Sequence, residues 1–167
     1  MPKAVSDPSP GPLRRLLRWV RPKAALSAAA TSPPPPSRPT GNAFANVKAS
    51  WEALAAHDPL WAIVSSPGKE GNRWDLEEFL ATGDVEVRAV LAQIAQRGVA
   101  FERGRALDFG AGVGRLTQAL APHFGRVDGV DIAAPMVDRA RAINRFGERV
   151  AYHLGDGSTL PFPDGTF

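Results

Sequence analysis

Between Arg105 and Arg115 the chain reads Arg-Ala-Leu-Asp-Phe-Gly-Ala-Gly-Val-Gly-Arg, and few folds accommodate such a stretch. Residues 106–109 are short and apolar apart from Asp108, as a buried strand would be. Beyond the glycines, Leu116, Ala119 and Leu120 recur at helical spacing. Between the two lie Gly110, Ala111, Gly112, Val113 and Gly114. Glycines at alternate positions admit positive φ and let a ligand press against bare backbone. The helix that follows offers unpaired N–H groups and the positive end of its dipole. This order predicts an α/β unit whose loop holds a nucleotide-like or carboxylate-bearing ligand.

The rest of the sequence bounds that reading. A length of 167 residues suits one domain with appendages. There is no cysteine, which excludes disulfides, thiolate zinc sites and cysteine nucleophiles and points to a reducing compartment, so a cytoplasmic location is expected. No apolar run approaches the roughly 18 residues of a membrane span. The formal charge of +3 is unevenly placed: residues 1–40 carry seven Lys/Arg against Asp7, while the remainder is net acidic. A nucleic-acid-binding domain would carry its basic face on the folded part, so no nucleic-acid partner is expected.

Residues 1–42 are rich in Pro, Ser, Ala and Arg, with four successive prolines at Pro33 to Pro36, and read as a disordered basic tail. Within it, Leu13, Leu16, Leu17 and Val20 share a helical face ringed by arginines. That pattern offers a minor possibility of membrane-surface contact through residues 13–21, weighed against a solvated tail. Residues 43–98 read as a helical region. Phe44, Val47, Trp51 and Leu54 fall on one face of a helix that Asp58-Pro59 ends. Asp75 and Glu78 resemble a capping box opening a short helix through Phe79 and Leu80. Gly83-Asp84 then begins a second helix, with Val87, Val90, Leu91 and Ile94 facing the sheet and Gly98 as its stop. Trp51, Trp61 and Trp74 are read as core in preference to the roof of a pocket.

Residues 99–167 alternate strand and helix. Strands are expected at 106–109, 127–132 and 150–154, with helices at 115–124 and 135–145, the second opening on Pro135. Crossover helices between strands imply a parallel, doubly wound sheet that gathers ligands at the carboxyl ends of its strands. Three features meet on that edge. The glycine loop follows the first strand, Asp131 ends the second where a carboxylate can accept both hydroxyls of a ribose, and Asp156-Gly157 follows the third. Each alone has a plainer meaning: Asp108 as an anchor between helix and loop, Asp131 as a turn residue, Asp156-Gly157 as an ordinary turn. Their order and spacing together describe an adenosine-type pocket.

A dinucleotide site would want Gly-x-Gly-x-x-Gly, but the third glycine here is Gly114 and the close-packing position is Arg115. The run 107–115, then Gly129-Val130-Asp131-Ile132 with Pro135-Met136, then Gly155-Asp156 and residues 160–167 resemble the class I S-adenosylmethionine-dependent methyltransferases. The resemblance covers residues 101–167 and implies a Rossmann-like fold of which the first three strands are present. It further implies S-adenosyl-L-methionine as cofactor. Asp108 with Gly110, Ala111, Gly112 and Gly114 would surround its methionine part, and Asp131 would hold the ribose. Ile132 and Met136 would flank the adenine, and Asp156, with Gly157 beside it, would face the exocyclic amine. One departure is Ala133, where the family often has a serine that caps the next helix, a loss of about 1 kcal/mol.

The resemblance also implies a fourth strand beyond Phe167, beside the first. The sequence is therefore expected to be the cofactor-binding part of a longer enzyme, inactive alone and with an exposed strand edge. His57, His123 and His153 are dispersed and suggest no metal site, and no catalytic residue is assigned. The expected function is methyl transfer to a small molecule. The alternatives are a non-catalytic nucleotide-binding or partner-completed module and, less favoured, an NAD-dependent oxidoreductase.

Overall fold

A computed structural model of the protein describes residues 41–167, with side chains from Ala45 onward. The basic tail, its prolines and the stretch 13–21 lie outside the described residues, as does the Phe44 side chain. The elements in chain order are α1 (Gly41–His57), α2 (Pro59–Ile63), α3 (Leu76–Gln96), β1 (Arg105–Phe109), α4 (Arg115–Leu120), β2 (Arg126–Asp131), α5 (Ala134–Ala142) and β3 (Val150–Leu154), with a 3₁₀ turn at Gly147–Arg149.

The three strands form one parallel sheet in the order β1-β2-β3. Leu107 pairs with Asp128, and Val130 with His153. Among the described residues one edge of β1 has no partner strand. On one face of the sheet Val127, Val150 and Tyr152 meet Val137 and Ala140 of α5. A second apolar cluster joins the amino-terminal helices to the α/β part: Leu60, Phe79 and Leu80 pack with Val113, Ala133 and Met136. Burying a side chain such as Phe79 completely contributes about 1.5–3 kcal/mol.

Local chemistry explains the helix ends. α1 stops before Asp58, whose carboxylate caps α2 by accepting from the Trp61 N–H at 3.3 Å, with Pro59 in its first turn. Asp75 caps α3 through the Glu78 N–H at 2.9 Å, while the Glu78 side chain pairs with Lys69 instead of returning to the cap. At the other end Val99 N–H donates to Ile94 O and Gly98 N–H to Ala95 O, with Gly98 at φ +66°. This is a Schellman turn, for which the sequence supplied the glycine.

The structure corrects four expectations. Residues 76–96 form one helix, not two. Gly83 sits inside it because a Cβ there would lie 2.6 Å from the Arg115 carbonyl oxygen: the glycine lets α3 and α4 touch. α3 consequently packs chiefly against α4 rather than on the sheet, and Val90 is left half exposed. α4 ends at Leu120, four residues early, because Pro122 has no N–H to give the Gln118 carbonyl. α5 ends at Ala142, where Asn144 turns the chain by donating to the carbonyls of Gly147 and Val150 at 3.1 Å. As expected from Ala133, α5 has no side-chain cap.

Candidate ligand site at the carboxyl edge of the sheet

The loop after β1 is fastened to β2 by two adjacent donors, since the N–H groups of Gly110 and Ala111 both reach the Val130 carbonyl, at 2.8 and 3.0 Å. The chain then passes through positive φ at Gly110, Gly112 and Gly114 before entering α4. The last two glycines owe their identity to what lies against them as well as to φ. A Cβ on Gly112 would lie 2.6 Å from Cδ1 of Ile63, and one on Gly114 would lie 2.1 Å from the Tyr152 hydroxyl. A Cβ on Gly110 would meet nothing within 4 Å. Only Gly110 presents bare backbone to open space.

Asp131 completes the edge. Its Oδ2 accepts from the Gly112 N–H at 2.8 Å and its Oδ1 from the Ala133 N–H at 2.9 Å, so one carboxylate ties the glycine loop to the start of α5. Each oxygen retains acceptor capacity. A cavity of about 480 Å³ opens here. Gly110, Gly112, Asp131, Ile132, Met136 and Gly157 of the sequence-derived set line it. Asp108, Ala111, Gly114 and Asp156 are not among its lining residues.

Those four residues support the edge in other ways. Ala111 and Gly114 are buried within the loop, and Gly114 N–H donates to the Ala111 carbonyl at 2.8 Å. Asp108 accepts from the Thr117 hydroxyl at 2.6 Å. Burial pushes its carboxyl above the ordinary aspartate value, outweighing the Thr117 hydrogen bonds and the Arg115 charge. Asp156 is exposed and closes a turn, accepting from the N–H groups of Ser158 and Thr159 and from the Thr159 hydroxyl. The Thr159 N–H, followed by that of Ser158, holds its carboxyl well below the usual range.

Two groups of residues were missed by sequence reasoning. The first is the cavity's other wall, where Val47 and Trp51 of α1 and Ala62 and Ile63 of α2 face the loop. Trp51, read as core, is 39 % exposed at this wall, whereas Trp74 packs edge-on to Phe79 and donates its indole N–H to the Val64 carbonyl. The second is Asp128, fully buried on the sheet face opposite α5. Arg105 Nε donates to it at 2.6 Å, His153 Nε2 lies 2.8 Å away, and Arg126 lies at 3.5 Å. Phe162 and Phe167 stack edge to face above, with the Arg105 guanidinium against both rings. Among the described residues no group of three or more histidine or acidic side chains is placed to hold a metal ion.

An open parallel sheet with a glycine loop and an acidic residue at its carboxyl edge defines a Rossmann-like nucleotide-binding architecture. Comparison with known proteins narrows it. Residues 106–167 match the family model of the methyltransferase domain. The chain is 38 % identical to the biotin biosynthesis bifunctional protein BioHC of Teredinibacter turnerae over 36 % of this chain and 12 % of that protein. It is 37 % identical to the uncharacterized methyltransferase YcgJ of Bacillus subtilis over 38 % of this chain and 26 % of that one. The chain thus spans about an eighth and a quarter of the curated relatives it matches. In fold it is similar to phosphoethanolamine N-methyltransferase 1 of Haemonchus contortus, solved with phosphoethanolamine and S-adenosylhomocysteine. That likeness has a TM-score of 0.52 at 17 % identity and covers 70 % of this chain and 22 % of that one.

Proposed function

We propose that the cavity binds S-adenosylmethionine and that the protein transfers its methyl group to a small-molecule acceptor. The observation that carries this reading is Asp131: a carboxylate at the end of β2, on the cavity wall, held rigid by two backbone N–H groups with acceptor capacity to spare. The bare backbone of Gly110, with open space where a side chain would stand, fits a ligand that approaches the main chain closely. When bound, the cofactor supplies an activated methyl group on a sulfonium. This chain's residues bind and orient.

Asp131 accepts from the ribose hydroxyls, Ile132 and Met136 wall the adenine, and Asp156 keeps one acceptor position for the exocyclic amine beside Gly157. Gly110 and Gly112 form the floor under the methionine part. Asp108, through Thr117, and Gly114, through Tyr152, fix the loop from beneath. Such a site works by positioning, since in-line displacement depends on how exactly the reacting atoms are aligned. The position where a dinucleotide site would need a close-packing glycine is Arg115. Its guanidinium is committed to Glu86 at 2.8 Å and Thr82 at 3.3 Å on α3, which disfavours a pyrophosphate ligand.

Isothermal titration of the chain with S-adenosylhomocysteine and, separately, with NAD tests the reading. S-adenosylhomocysteine is expected to bind, NAD to give no measurable heat, and Asp131→Asn to weaken the former by about tenfold or more. Binding of NAD in preference to S-adenosylhomocysteine would overturn it.

A further inference from the structure

Resting on the cofactor reading above, we infer that Asp58 is a positioning residue for the glycine loop: by clasping the start of α2 it holds Ile63 against Gly112. Gly112 is gripped from two sides. Its N–H donates to Asp131 Oδ2 at 2.8 Å, and Ile63 packs so closely on it that a Cβ there would lie 2.6 Å from Cδ1 and 3.3 Å from Cγ1. Ile63 also lines the cavity, with Ala62 beside it. The contact therefore backs the hydrogen bond that orients the ribose-holding carboxylate. Ile63 belongs to α2, outside residues 106–167 that match the methyltransferase domain.

α2 has five residues, too few to stand by its own hydrogen bonds, so its place is set by its ends and its packing. At the amino end the buried Asp58 carboxylate accepts from the Trp61 N–H with Oδ1 at 3.3 Å and from the Asn72 N–H with Oδ2 at 3.0 Å. Asn72, at φ +59°, returns the link by donating its Nδ2 to the His57 carbonyl at 2.9 Å. At the carboxyl end the Trp74 indole N–H donates to the Val64 carbonyl at 3.0 Å. Leu60, three residues before Ile63 and on the same side of the turn, enters the core with Phe79 and Leu80. Leu60 fixes how deep α2 lies and the Asp58 clasp fixes where it starts. Together they set where Ile63 meets Gly112. Asp58 is not among the residues that line the cavity, so its effect on a ligand passes through Ile63.

The experiment titrates the chain and its variants with S-adenosylhomocysteine and records the Gly112 amide resonance without ligand. Asp58→Ala is expected to move that resonance and to weaken S-adenosylhomocysteine about fivefold, and Ile63→Ala to do the same. In the Ile63→Ala background Asp58→Ala should weaken it by less than about twofold more, because the contact it serves is already gone. A role confined to stability would lower the urea midpoint and leave both readouts in place, which overturns the inference. So does an Asp58→Ala effect undiminished in the Ile63→Ala background. Asn72 gives a second route should Asp58→Ala fail to fold. Glycine there tolerates the positive φ and keeps its N–H on Asp58, whereas a β-branched residue is strained, so Asn72→Val should bind S-adenosylhomocysteine about threefold more weakly than Asn72→Gly. Equal affinities of those two variants overturn the inference. Failure of S-adenosylhomocysteine to bind the unaltered chain refutes the cofactor reading instead, and the Gly112 resonance, read without ligand, still decides whether Asp58 acts on the loop.

Discussion

Replacing Gly114 with alanine separates two duties that a glycine in this loop can have: backbone freedom and room for a neighbour. Gly114 sits at φ +84° and Gly110 at φ +79°, so alanine at either position incurs a left-handed conformational cost of about 1–2 kcal/mol. They differ in surroundings. A methyl group at Gly114 would lie 2.1 Å from the Tyr152 hydroxyl and 2.6 Å from its Cζ, within a ring that is 6 % exposed and packed in the core. Overpacking of this kind adds about 1–3 kcal/mol, so Gly114→Ala should lose about 2–5 kcal/mol in all. At Gly110 no atom lies within 4 Å, and Gly110→Ala should lose only the conformational part. Urea unfolding followed by circular dichroism reads both, with the Gly114→Ala midpoint falling by about 1 M or more. Binding should reverse the ranking, because Gly110 lines the cavity while Gly114 does not. Pairing Gly114→Ala with Tyr152→Val should recover the overpacking part as a coupling energy. Equal stability losses for the two alanine variants would refute the reasoning.

Further outcomes follow from the polar contacts. Burial pushes the Asp128 carboxyl up, but the Arg105 and His153 hydrogen bonds and the Arg126 charge outweigh it, leaving the group below its ordinary value. The stability it contributes is therefore present above the unfolded aspartate value of about 4 and lost as pH falls through the lower folded value. Asp128→Asn should cost about 3 kcal/mol at pH 7, at the lower end for a broken buried pair because Arg105 and His153 reach solvent, and should flatten the acid limb of a stability-versus-pH curve. Thr117→Val removes the hydroxyl that Asp108 accepts from and should lose about 1–2 kcal/mol in urea unfolding. Gly83→Ala places a methyl 2.6 Å from the Arg115 carbonyl and should lower the thermal midpoint, although alanine is the better helix former by about 1 kcal/mol. A rise in that midpoint would show that α3 and α4 separate freely.

The parallel sheet, the loop and Asp131 were legible because they rest on short-range signals: apolar runs of strand length, glycines at alternate positions and an acid at the next strand's end. β3 matches its expected bounds, and β1 and β2 are displaced by one residue at most at each end. The misreadings concern facts that depend on a partner. Gly83 looks like a helix boundary in sequence, and only the approach of Arg115 reveals it as a contact point. Val90 continues the apolar stripe of α3, yet it is left half exposed. Asp128 is one of three charged residues in β2, and nothing local sets it apart. Its partners come from β1 and β3, through a register that pairs Leu107 with Asp128 and Val130 with His153, and no local pattern announces that register. Trp51 was assigned to the core on helical spacing, which fixes a face but not what the face meets.

The claim that the carboxyl edge of this sheet is a cofactor site is tested most directly by a nitrogen-15 amide spectrum of the chain titrated with S-adenosylhomocysteine. The geometry predicts that the resonances of Gly110, Gly112, Asp131, Ile132 and Gly157 move together, while those of Arg105, Asp128 and His153, which do not line the cavity, stay in place. Shifts confined to the Asp128 cluster, or no shifts at saturating ligand, would contradict it.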